Sequence, residues 1–345
     1  MTSRSTLGSS VVLSVVLATL LFVVLVAHAP DATAFSPNNY GWNGLQSVSS
    51  LYDLHFADSL AGLDATHHSV LIVMQPASPF TATDAQNVGS FLRGGGTVVV
   101  ADSDGVSNSL LQALGLGIGI QGQQAALDSI YNWKDKTLPT ALVYPAAQKQ
   151  FRFFAGVQAI AMNEPSPLNV QPSSGAQAVA ESSPLSVEVN RSSAGAAGLL
   201  LGSPKPVAQG PFAVAAVQRV GNGTVLVVGD SQFFTNPSLV IADNKVLIGN
   251  LLANVTVYVD ASHWPANTIS GLKASLGQTY GQLSSYPTRY LVVLGFVGLA
   301  VVLVPSTQRV RKQGRKAVAA DLTAFNPAIL ERVRKDRERY GVEPE

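Results

Sequence analysis

The chain has 345 residues, with 22 Lys/Arg against 21 Asp/Glu and no cysteine. That length leaves room for one large domain or two small ones. The missing thiols exclude disulfides, thiolate nucleophiles and thiolate metal sites, leaving only imidazole and oxygen ligands for any metal. The near balance of charge hides an asymmetry: residues 30–288 hold 10 Lys/Arg and 15 Asp/Glu, a net of −5, whereas residues 308–345 hold 10 and 6, a net of +4. Basic residues confined to one end beside an apolar run argue for two compartments, so no nucleic-acid partner is expected.

In chain order, the first feature is residues 11–29, whose core VVLSVVLATLLFVVLVA is long enough for a membrane span. Arg4 before it and Asp31 after it place the N-terminal residues 1–10 in the cytoplasm. The alternative is a signal peptide cleaved after Ala29, since Ala27-His28-Ala29 has the small-x-small form. A second span is expected over residues 287–307. YLVVLGFVGLAVVLV is extended there by Pro287 as a first-turn residue and by a snorkelling Arg289, and is closed by the cations of RVRKQGRK. The alternative for this segment is a buried core helix followed by a solvated charged loop. The expected arrangement is a two-pass protein of the cell membrane with both termini cytoplasmic. Residues 30–257 then form an extracytoplasmic domain, 258–286 a stalk around Trp264-Pro265, and 308–345 a basic tail.

Inside that domain, SVLIVMQP (69–76) reads as a strand buried on both faces. TATDAQNVGSFLRGGG (81–96) opens on a Thr-x-x-Asp cap, carries Ala85, Val88 and Leu92 at helical spacing and stops at glycines. TVVVA (97–101) is a second buried strand, followed by a short helix over 107–114. The middle is less regular, with strands expected at 141–144, 157–162, 176–180 and 185–189. Residues 211–231 form two strands joined at Gly221-Asn222-Gly223, a hairpin signal. Asn236-Pro237 then caps a helix running through Leu252. Strands alternating with helices predict an α/β fold with a mostly parallel, flavodoxin-like sheet flanked by helices, plus the two transmembrane helices. In the tail, Asn326-Pro327 opens a helix supported by Glu331 and Lys335 four apart. It is either solvated near anionic headgroups or a docking helix for a cytoplasmic partner at 326–340.

Both VVVADSDG and VLVVGDS end an apolar strand in Asp-Ser. In a doubly wound sheet, ligands bind beyond the carboxyl ends of the strands at the switch point of strand order, which makes Asp102, Asp104, Asp230 and Asn236 the ligand-binding candidates. The alternative for the aspartates is structural, since a short acceptor at a strand-to-helix junction satisfies free N–H groups of the next helix. VVVADSDGV also resembles the nucleophile strand of haloacid-dehalogenase-like phosphohydrolases. That resemblance implies Asp102 as nucleophile and Asp104 as general acid/base, but the second acidic residue expected after Asp230 is replaced by Phe233, Phe234, Thr235 and Asn236. The histidines lack metal spacing, and no serine elbow or phosphate loop occurs, so neither a metal nor a cofactor is expected. Sequons stand at Asn190, Asn222 and Asn254.

Together, NNYGWNGLQSVSSLYDL (38–54), the Pro79–Asp102 block, and GNGTVLVVGDSQFFTN with Asp243-Asn244 and Asn250-Leu251 resemble the membrane-anchored family designated domain of unknown function 4350. This largely prokaryotic family has many archaeal members. The resemblance implies a glutamine-amidotransferase-like outer domain, which lacks the catalytic cysteine here, and partners in a membrane complex or envelope system. The chain is therefore read as a non-catalytic interaction or ligand-sensing module, an accessory subunit touching the lipid bilayer. The alternatives are the phosphohydrolase and a structural part of the cell envelope.

Overall fold

The computed structural model describes residues 33–191, 205–264 and 327–340. The chain divides into two units, residues 1–271 and 272–345. Within the first unit the strands are β1 (Leu54–Ala57), β2 (Ser69–Met74), β3 (Thr97–Ala101), β4 (Ile118–Ile120), β5 (Gln124–Leu127), β6 (Thr140–Val143), β7 (Ala159–Ala161), β8 (Leu168–Val170), β9 (Gln177–Glu181), β10 (Val187–Asn190), β11 (Pro206–Gln209), β12 (Ala213–Val220), β13 (Gly223–Val228) and β14 (Thr256–Asp260). The helices are α1 (Gln46–Ser49), α2 (Ala82–Arg93), α3 (Asn108–Ala113), α4 (Pro145–Gln150) and α5 (Asn244–Leu252).

Nine strands form one sheet in the order β1-β14-β2-β3-β13-β12-β9-β6-β7. The first five are parallel neighbours, and from β13 onward every pairing is antiparallel. The sheet is thus mixed, and the expectation of a mostly parallel one is corrected. β12 returns to β13 through a two-residue hairpin turn, which only antiparallel pairing permits, while β6 reaches β7 through α4 and a 3₁₀ turn and β9 reaches β12 through β10 and β11. Two smaller sheets, β11-β10-β5 and β4-β8, complete the body.

β2 is buried at all six positions because helical layers cover both faces of the sheet. Leu71, Val73, Val98 and Val100 pack with Val88, Phe91 and Leu92 of α2 and with Leu110 and Leu111 of α3. On the other face, Val70, Ile72, Val257 and Val259 pack with Leu247, Ile248 and Leu251 of α5 and with Phe233 and Phe234. The capping box read at Thr81 is present: the Thr81 side chain accepts from the Asp84 N–H, and Asp84 accepts in return.

Several expectations are corrected. Among the described residues no helix is long and apolar enough to cross a membrane. Both anticipated spans, 11–29 and 287–307, lie outside the described residues. The two-pass cell-membrane assignment, with its extracytoplasmic body and cytoplasmic ends, has no transmembrane helix behind it among the described residues and is withdrawn. Tyr258, expected to begin a stalk, lies in β14 between β1 and β2. Its neighbour Trp264 donates its indole N–H to Met74 O at 2.9 Å. The helix expected from Asn236 through Leu252 is broken into a 3₁₀ turn, Asn236–Val240, and α5, with Ile241 extended between them.

In the second unit, α6 (Pro327–Tyr340) is the helix expected in the tail; Asn326 lies outside the described residues. Its ion pair joins Arg334 to Glu338 at 3.6 Å, where Glu331–Lys335 was anticipated. It is exposed on both sides and contributes at most a few tenths of a kcal/mol, ~0.3–0.5 for such pairs.

Candidate functional site

The switch point of the sheet falls between β3 and β13. After β3 the chain turns to α3, on the α2 face; after β13 it turns to Phe233 and Phe234, on the α5 face. Opposite exits leave a crevice between the carboxyl ends of these two strands. The two Asp-Ser pairs meet there, with Ser103 Oγ and Ser231 Oγ 3.0 Å apart and both residues buried.

Neither buried aspartate faces an open space. Asp102, 0% exposed, accepts from three backbone N–H groups: Asp104 at 2.8 Å, Gly105 at 3.2 Å and Ser107 at 2.8 Å. Both oxygens are engaged in holding the turn into α3. Asp230, 1% exposed, accepts from Asn163 N at 2.9 Å and Gln232 N at 2.8 Å. Burial pushes its carboxyl up to about 6, against the opposing pull of those N–H groups and of the Arg191 charge. Asp104 is exposed and accepts from Gln75 Nε2 at 3.1 Å.

The crevice itself is filled by the segment 163–167. Ser166 N donates to Gly229 O at 2.7 Å, and Ser166 Oγ donates to Ser103 O at 2.6 Å and to Gln124 O at 2.9 Å. The approach is close enough that a Cβ on Gly229 would lie 2.1 Å from Ser166 O, so only glycine fits the first position after β13. Glu164, at φ 46, donates its N–H to Thr137 O, and Pro165 O accepts from Ala126 N of β5. Arg191 clamps the segment from outside: its guanidinium donates to Glu164 O and to Gln124 O, and Nη1 lies 3.6 Å from Glu164 Oε2.

A second buried cluster stands at the end of β14. Asp260, 1% exposed, accepts from Ser262 N and Ser262 Oγ and lies 2.8 Å from His263 Nδ1. His263 Nε2 is 3.5 Å from Asp84 Oδ2, and its ring stacks on Phe80 at 3.9 Å. Burial raises the Asp84 carboxyl, but the Thr81 hydrogen bonds and the His263 charge outweigh it and hold the group below its ordinary value. This cluster ties β14 to the start of α2.

Asn236 stands apart from the crevice. Its Oδ1 accepts from Ser47 N at 2.8 Å and its Nδ2 donates to Asn39 O and Gly41 O at 3.0 and 2.7 Å, so it binds the loop before α1 and is not aimed at a ligand. Asn222 sits exposed at the β12–β13 turn, Asn254 is exposed with φ 58, and Asn190 ends β10. Among the described residues no group of three His, Asp or Glu has metal-holding geometry.

Asp102 and Asp230 both lie at the sheet edge formed by the carboxyl ends of β3 and β13. Asn163, Ser166 and Arg191 sit in a stretch of short strands without periodicity that carries no signal in the sequence, and Asp260 and His263 belong to the end of β14, where a stalk was expected.

A family profile described as domain of unknown function (DUF4350) matches residues 42–252, more than half of the chain. The chain belongs to the DUF4350 family. The match runs from Trp42 to the end of α5, so it takes in the switch point, the segment filling it and the Asn236 tie. None of the curated proteins matches this DUF4350 chain. Solved structures that are similar in part include the mmIFT52 N-terminal domain, at 18% identity and a TM-score of 0.37, covering 52% of this chain and 73% of that one. Cytoplasmic protein STM3548 from Salmonella typhimurium follows at 9% and 0.32, covering 58% and 76%. A β-galactosidase from Bacillus circulans sp. alkalophilus stands at 14% and 0.31, covering 54% of this chain and only 23% of the enzyme. At these scores none of them bears on function.

Proposed function

We propose that the DUF4350 body is a non-catalytic interaction or ligand-binding module, an accessory component of a larger assembly. The observation that carries this reading is the filled switch point: the place where an open α/β sheet presents its ligand site is occupied by Ser166 and its neighbours. The absence of cysteine removes the thiolate that amidotransferase chemistry needs.

The phosphohydrolase alternative asks Asp102 to attack a phosphoryl group. A nucleophile must reach substrate, and here both oxygens are buried and filled by N–H donors. The geometry favours the module. Incubating the full chain with generic phosphoesters over a range of magnesium concentrations tests this directly. The expected result is no turnover; turnover that Asp102→Asn abolishes would establish the enzyme instead.

A further inference from the structure

The segment that fills the switch point, residues 163–167, belongs to no strand, and its bonds run singly to separate elements. Asn163 N donates to Asp230 Oδ2 beyond β13, Glu164 N to Thr137 O in the loop before β6, and Ser166 N to Gly229 O. Pro165 O accepts from Ala126 N of β5, and Pro167 O from Gln121 N. Neither β3 nor β13, between whose ends it sits, pairs with it as a strand. Glu164 turns the chain at φ 46, in the left-handed region that a non-glycine residue occupies at a cost.

The same segment seals a cluster of charge. Asp230, buried beneath it, receives two backbone N–H groups, from Asn163 and Gln232, where the equally buried Asp102 receives three. One of those two donors belongs to the segment itself, so displacing the segment breaks that bond and lets water reach the carboxyl. The Glu164 carboxylate lies 3.6 Å from Arg191 Nη1, with both side chains about one-fifth exposed. The Arg191 charge, at the end of β10, acts on Asp230 and on Glu164 together, while Glu164 repels Asp230. Asp135, which holds Thr137 through its N–H and hydroxyl, adds a further negative charge acting on Glu164, and the Lys136 charge acts on Asp135. Two desolvated carboxylates that share one guanidinium favour taking up a proton.

We propose that residues 163–167 are an autoinhibitory plug over a ligand crevice between β3 and β13, and that its release is coupled to loss of a proton from the cluster beneath it, chiefly from Asp230. The proposal rests on the reading of the body as a ligand-binding module and supplies its regulation. With the crevice closed, burial holds the Asp230 carboxyl up at about 6 and raises Glu164 as well. With it open, both carboxyls are hydrated and return to the ordinary carboxylate range. Closure is therefore tightest below that range and weakens as pH rises through about 6. Between pH 5 and pH 7.5 the opening equilibrium should rise about tenfold.

The test is native-state hydrogen exchange on the full chain, corrected for the intrinsic pH dependence of exchange, at Asn163 and Ser166, with Leu71 and Ile72 of β2 reporting the whole body. The plug amides should be less protected than the β2 amides and should not respond to low urea concentrations that accelerate β2, because their opening exposes less surface. Their protection should fall about tenfold from pH 5 to pH 7.5. Asp230→Asn should remove most of that fall, and Glu164→Gln added to it the remainder. Carboxyl carbon shifts of the wild type give a second reading that needs no variant: Asp230 should titrate near 6, at the midpoint of the change in protection. Plug protection that is constant with pH, a fall that survives both substitutions, or an Asp230 carboxyl titrating in the ordinary range would overturn the proposal. So would plug amides that follow β2 at every urea concentration, since the segment would then open only with the whole body. Absence of protection at every pH would instead remove the filled switch point on which the module reading stands, so the two failures are told apart.

Discussion

Replacing Asp102 separates its structural role from a catalytic one. In Asp102→Ala, three backbone N–H groups lose their acceptor. Ser107 is fully buried, so its N–H is left unsatisfied at about 1–3 kcal/mol. The Asp104 and Gly105 N–H groups are nearer solvent, recover hydration, and together add roughly 1 kcal/mol. The expected loss is about 2–4 kcal/mol, and for a body of this size roughly 2–4 °C of melting temperature accompanies each kcal/mol. Calorimetry should therefore show the transition falling by roughly 4–16 °C. Asp102→Asn keeps one acceptor oxygen and should lose about half as much. Phosphoester turnover measured alongside should be zero for all three proteins. A wild type that turns over substrate, with both variants inactive at an unchanged melting temperature, would refute the reasoning.

Four further outcomes follow from the same geometry. Gly229→Ala drives a Cβ into the Ser166 backbone and should cost about 2–3 kcal/mol in urea unfolding. Gly119→Ala, which meets only Asn169 Cβ at 4.0 Å, should change stability by less than about 1 kcal/mol. The Asp230 carboxyl is raised in the folded state, so the folded protein holds that proton more tightly than the unfolded chain. The group's contribution is then most favourable below the ordinary carboxylate value and is lost as pH rises through about 6. The wild-type-minus-Asp230→Asn difference in unfolding free energy should accordingly fall by about 3 kcal/mol between pH 3.5 and 6.5, at about 1.4 kcal/mol per pH unit. A flat difference would contradict the buried placement. His263→Ala leaves the Asp260 carboxylate buried with Ser262 as its remaining partner and removes the stack on Phe80. A loss of about 3–5 kcal/mol is expected, read as a lower denaturant midpoint.

The parts of the fold that could be read from the residues are those whose burial is two-sided. SVLIVM and TVVVA are apolar at nearly every position because helices cover both faces, and Thr81 with Asp84 marks a helix start through a local interaction. Strands such as Ala159–Ala161 and Leu168–Val170 are three residues long, too short for any period to register. Their place in the sheet is set by partners far along the chain: Asn244, for instance, accepts from Ala161 N and donates to Ala161 O, closing that sheet edge from 83 residues away. The aspartates were legible as residues at a strand end. Their saturation was not, because the donors at Asn163 and the filling residue Ser166 arrive from the antiparallel half of the sheet, which carries no signature. Asn236 beside Pro237 looked like a helix cap; its amide instead reaches back almost 200 residues to the Tyr40–Trp42 loop.

The account stands on the switch point being closed by the protein's own chain. Native-state amide hydrogen exchange at Asn163, Glu164 and Ser166 tests it most directly. Protection approaching that of the β3 and β13 amides is predicted, because opening the crevice would require disrupting bonds to Asp230, Thr137 and Gly229 together. Exchange at those three amides as fast as in an exposed loop would mean the crevice opens freely and would contradict the account.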